Sequence, residues 1–108
     1  MPSAALPEFS LVYSPRAQRD LRKLPAKEAS QILDDLEKLE TAQKNWPLNQ
    51  IKKLQGHPYW EIKTGDFRTL FILQRQKVVV LRVVNRRELE REIKRIDWRW
   101  LTEWLKGI

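Results

Sequence analysis

Nine lysines and arginines fall between Ile51 and Arg87, against two carboxylates, Glu61 and Asp66. Cations gathered this way suit one kind of chemistry. They hold phosphates and stabilise negative charge developing on them. The excess is local. Residues 1–50 carry 7 basic and 7 acidic side chains and residues 88–108 carry 5 of each, so the net charge of +7 arises wholly within 51–87. A field of that sign draws polyanions. Charge alone fits nucleic-acid binding and a solvated or protein-docking basic face about equally. Lys63 stands two residues from Glu61, so on a strand the two share a face. Arg82 interrupts an apolar strand and is expected to point with Val80 and Val84. A guanidinium there must be paired or reach a surface, which leaves open both a salt bridge to the helices and a functional role. Arg86 and Arg87 stand where strand gives way to helix. The dipole at a helix start favours acids, so their placement points to function.

Other chemistries find little support. His57 is the single histidine and sits in a Gly-His-Pro turn, where it reads as structural. The chain has no cysteine, which removes disulfides and thiolate metal sites and fits a reducing cytoplasm. One histidine and no acidic cluster at ligand spacing argue against a metal centre. Asp34 and Asp35 read as a solvated helix face. No glycine-rich phosphate loop, nucleophile elbow or paired-carboxylate pattern occurs. No cofactor and no metal are therefore expected. Apolar runs such as Val78 to Leu81 are far too short to span a membrane, and the first seven residues lack the basic start of a signal peptide.

The elements that must position these side chains follow from periodicity. At 108 residues, 42% hydrophobic and 32% charged, the chain suits one folded domain over 8–108 behind a loose leader over 1–7. Phe9, Leu11 and Tyr13 alternate as a strand over Glu8 to Tyr13. Ser14-Pro15 supplies an N-cap and a first-turn proline for a helix along Ala17, Leu21 and Leu24. Pro25 opens a second helix to about Gln43, with Ala29, Ile32, Leu33, Leu36 and Leu39 as its stripe. Lys44 to Gly56 reads as loop. Three strands follow, Tyr59 to Thr64, Phe67 to Gln74 and Val78 to Val84, joined by turns short enough to demand an antiparallel meander. Leu89, Ile93, Ile96, Trp100 and Trp104 mark one last helix. The order β-α-α-β-β-β-α predicts an α+β fold, with an N-terminal helical hairpin packed on a small antiparallel sheet and a helix at the C-terminus.

Four pieces, in order along residues 8–95, resemble the RelE/ParE toxin superfamily of type II toxin–antitoxin systems. They are Tyr13-Ser14-Pro15-Arg16-Ala17, Lys53-Leu54-Gln55-Gly56, Tyr59 through Arg68, and Val80 through Glu88 with its Asn85-Arg86-Arg87. The resemblance implies a RelE-like fold. It also implies a toxin that cuts mRNA in the ribosomal A site without metal, the 2′-OH attacking the adjacent phosphate. Lys63, Arg68 and Arg87 match positions that stabilise the phosphate in the family, and Lys52, Lys53, Arg82 and Arg86 are the expected RNA contacts. Glu61 stands where a second basic residue is common, and Asn85 where a histidine is common. The tyrosine that often follows the double arginine has no counterpart, so Glu61 and Glu90 are left as acid–base candidates. The partners implied are mRNA, the ribosome and an acidic antitoxin that forms a hetero-oligomer with the toxin in the cytoplasm. The ParE branch poisons DNA gyrase instead, and a weakened member would only bind antitoxin or RNA. Trp98, Trp100 and Trp104 are expected to pack on the sheet, with a landing site for an antitoxin helix or a second protomer as the alternative.

Overall fold

The computed structural model describes residues 8–108; the leader expected over 1–7 lies outside them. A five-stranded sheet carries helices on both faces. Its strands are β1 (Ser10–Tyr13), β2 (Ile51–Lys53), β3 (Trp60–Thr64), β4 (Phe67–Gln74) and β5 (Lys77–Asn85), in the order β1-β5-β4-β3-β2. The last four form the antiparallel meander, and β1 joins β5 in parallel, from Ser10 opposite Lys77 to Tyr13 opposite Val80. Gly65, at φ +58, takes the first central position of the two-residue turn between Thr64 and Phe67, where glycine is required.

Helix α1 (Pro15–Arg22) begins where Ser14 and Pro15 place it. Ser14 Oγ accepts from the Ala17 N–H and donates to the Leu81 carbonyl, both at 3.0 Å, so one buried hydroxyl caps the helix and ties it to β5. Ser14→Ala leaves both groups short of a partner and is expected to cost about 1–3 kcal/mol. Urea unfolding measures it, and an unchanged midpoint would remove the cap from the fold's supports.

Helix α2 (Ala26–Glu37) ends earlier than the expected Gln43. A 3-10 turn follows over Lys38–Glu40, then Thr41 turns extended and its hydroxyl takes the Lys38 carbonyl. The expected loop over 44–56 contains β2, which pairs Ile51 with Ile62 and Lys53 with Trp60. The expected last helix is two. A 3-10 turn (Arg86–Glu88) leads into α3 (Leu89–Lys94), and Asp97 restarts the chain as α4 (Trp98–Lys106) by accepting from the Arg99 and Trp100 N–H groups at 3.0 Å. A cap of this kind outweighs an apolar stripe that would otherwise run on.

The core has two layers. On one face α1 and α2 bury Ala17, Ile32 and Leu36 against Ile62, Phe71 and Val80. On the other, α3, α4 and the link between them bring Ile93, Ile96, Leu101 and Leu105 over Tyr59, Leu70, Val79 and Leu81. No helix among the described residues is long and apolar enough to cross a membrane.

Candidate nucleic-acid cleft

On the α3 side, the β2–β3–β4 end of the sheet opens into a cleft of about 600 Å³. Alternation along the paired strands sets its floor. Lys52 lies opposite Glu61, Glu61 opposite Leu70, and Lys63 opposite Arg68, all on one face. The 3-10 turn and α3 form the facing wall. Six of the sequence-predicted residues line this one cleft: Lys52, Glu61, Arg68, Arg86, Arg87 and Glu90. Lys63 is exposed beside Arg68 on the same sheet face, outside the cleft lining.

Each cation is held differently. The Arg68 guanidinium donates through Nη1 to the Gly65 and Phe67 carbonyls at 2.9 and 3.0 Å, which fixes it to the β3–β4 turn. Among the described residues no carboxylate lies within 4.0 Å of Arg68 or Arg87. Arg87 is oriented at its backbone, where its N–H donates to Asn85 Oδ1 at 3.0 Å. Asn85 thus spends its side chain capping the 3-10 turn. Arg86 faces Asp66 at 3.7 Å, an exposed pair of small net worth.

Glu61 is the unusual group. It is 5% exposed, Lys52 Nζ approaches Oε1 at only 3.8 Å, and Oε2 has no hydrogen-bond partner in the protein. A buried carboxylate so poorly satisfied is costly to the fold. Such a cost is typical of a functional position. Glu90 is exposed on the helical wall.

Two expected RNA contacts lie elsewhere. Lys53 points to the opposite face from Lys52, and its ammonium donates to the His57 carbonyl at 2.8 Å. Arg82 is a correction. Leu70 pairs with Arg82 but Phe71 with Val80, so Leu81 is an extra residue that shifts the strand's phase. Arg82 therefore lies with Leu70 and Val84 rather than with Val80. Its guanidinium is taken by Asp20 of α1, at 2.8 Å from Nε and 3.2 Å from Nη2, and by Glu92 of α3 through Nη1. Burial works against the charge, yet these carboxylates more than offset it and raise the Arg82 pKa. Asp20 also receives the Val83 N–H at 2.9 Å, taking the place of a strand neighbour where β1 has ended. Arg82 lines a separate groove of about 370 Å³ between α1 and the α3–α4 corner, together with Arg16, Arg19, Arg95 and Trp100.

The sequence alone did not bring His57 into the cleft, yet it lines it. Of the tryptophans in α4, Trp104 joins the core while Trp98 and Trp100 remain 44% and 48% exposed.

Residues 11–90 match the family model described as the ParE toxin of the type II toxin–antitoxin system parDE. The chain belongs to that family. It is a type II toxin of the RelE/ParE superfamily, and solved structures agree in fold. The RelE toxin of the RelB–RelE complex from Methanococcus jannaschii is 22% identical, with a TM-score of 0.59 over 75% of this chain and 96% of that one. The RelBE2 toxin–antitoxin complex of Mycobacterium tuberculosis gives 25% identity and 0.57 over 74% and 99%. The intact RelBE complex of E. coli gives 25% and 0.58 over 71% and 95%. No curated protein matches the toxin in sequence.

Proposed function

We propose that this toxin is a metal-independent endoribonuclease of the RelE kind, which cuts mRNA on the ribosome in the cytoplasm and is neutralised by an acidic antitoxin. The observation that carries the proposal is the convergence of Lys52, Arg68, Arg86 and Arg87 on a cleft floored by a buried carboxylate with a free oxygen. The cations hold the scissile phosphate and stabilise the charge that builds on it. Lys63, beside Arg68, adds to that field from the rim. Glu61, which lines the cleft floor, accepts the 2′-OH proton as the 2′ oxygen attacks phosphorus. The bond to the 5′ oxygen breaks, and that oxygen takes a proton from water at the open rim, where Glu90 stands. The products are a 2′,3′-cyclic phosphate and a 5′-hydroxyl end.

Glu61→Gln keeps the shape and removes the base, so single-turnover cleavage should slow by about 100-fold or more. An unchanged rate would move the acid–base role off Glu61. The antitoxin partner draws support from the relatives solved with RelB. It also fits the charge of the Arg16, Arg19 and Arg95 groove, where the exposed Trp100 gives an acidic segment an apolar anchor.

The family description favours a second reading, a ParE-like gyrase poison. Expressing the toxin in bacteria separates the two. Protein synthesis should stop while plasmid supercoiling stays normal. Lost supercoiling with translation continuing would favour the gyrase reading.

A further inference from the structure

Three aromatic rings form a column at the edge of the cleft. The His57 ring lies 5.5 Å from that of Tyr59 at 20°, and Tyr59 lies 5.5 Å from Trp98 at 12°. Tyr59 is 1% exposed, so its ring is closed in, whereas His57 is exposed and lines the cleft with Lys52, Arg86 and Arg87. The backbone at His57 is pinned. Its N–H donates to the Leu54 carbonyl at 3.3 Å, and its carbonyl accepts from Lys53 Nζ at 2.8 Å. Gly56 at φ +77 makes the turn that sets the ring there. An exposed imidazole held flat on a buried ring adds little to the core, and it stands beside cations suited to phosphate.

We propose that the exposed face of His57 is a stacking platform for an unpaired RNA base adjacent to the phosphate held in the cleft. The proposal rests on the RNA reading above. Proteins that hold single-stranded RNA recurrently stack its unpaired bases on aromatic or histidine rings. Every base has a π-face, so such a platform requires a base without selecting which one. Lys53 thereby gains a supporting role: its bond to the His57 carbonyl steadies the platform.

The test is fluorescence anisotropy with a short single-stranded RNA, 2′-O-methylated to prevent cleavage, and an abasic oligonucleotide of the same length. His57→Ala should weaken RNA binding about fivefold or more, and His57→Phe should bind within about twofold of the parent. The abasic strand should bind the parent and His57→Ala alike. The salt dependence should stay the same in both His57 variants and fall by about one ion in Arg87→Ala. RNA binding weakened by Arg87→Ala but untouched by His57→Ala overturns the platform alone, as does His57→Phe binding as weakly as His57→Ala. A parent toxin without salt-sensitive RNA affinity overturns the RNA reading and the platform with it.

Discussion

Arg87→Ala is expected to lower mRNA cleavage about 100- to 1,000-fold and to relieve growth arrest, with the fold intact. Arg87 is exposed, and among the described residues no carboxylate engages it. Only its backbone N–H is used locally, and alanine keeps that bond to Asn85. Stability should therefore change by no more than about 0.5 kcal/mol. Arg87→Lys keeps the charge but loses the planar fork that grips two phosphate oxygens, so its rate should fall between the two. Toxicity that persists in Arg87→Ala at equal protein level would remove Arg87 from the site. Arg68→Ala, whose guanidinium the turn carbonyls hold in place, should behave similarly.

Arg82→Ala should lose function by a different route. Its side chain is 13% exposed, between Asp20 at 11% and Glu92 at 7%. Alanine would leave Asp20 with only the Val83 N–H and Glu92, which is buried, with only the longer contacts to Arg91 and Arg95, at a cost of about 3–5 kcal/mol. For a domain of this size that is a fall in Tm of more than about 10 °C. The acid limb of stability should change too. Burial alone would raise the Glu92 pKa, but hydrogen bonds and charge from Arg82, with help from Arg91 and Arg95, bring it below the ordinary 4.5. Glu92 therefore binds a proton less readily folded than unfolded. Its stabilisation is fully present above pH 4.5 and is lost as the pH falls through the lower folded value. In Arg82→Ala that acid-dependent part should shrink. Thermal melts between pH 3 and 7 measure both effects, and a parent-like Tm would contradict the structural role. Melting also separates the two arginines, since Arg87→Ala loses activity with its Tm unchanged.

Much of the framework was legible because its signals are local. Ser14-Pro15 starts α1 where capping chemistry requires, and β4 runs over Phe67–Gln74, the span that its neighbouring turns define. What escaped depends on distant partners or on a single residue. Strand β2 is three residues long with one apolar member, too short for a period to emerge. The parallel pairing of β1 with β5 joins segments far apart in sequence. Asp97 caps a new helix inside a stripe that would suit one continuous helix. The site followed the same division. Glu61 and Lys63 share a face because strands alternate, and this could be read directly from spacing, whereas Lys52 joins them through β2, which was expected to be loop. The extra Leu81 could not, and it turned Arg82 from the expected RNA contact into the tie between α1 and α3. His57 entered the cleft only because the turn after β2 folds against Tyr59.

The cationic cleft is proposed to cut RNA on the ribosome. Purified toxin added to ribosomes translating a defined message, followed by primer extension, tests it most directly. The expected result is a set of new 5′ ends inside the reading frame that require ribosomes and vanish with Arg87→Ala, the upstream fragments ending in 2′,3′-cyclic phosphate. Intact message at toxin concentrations that stop gyrase from supercoiling DNA would contradict it.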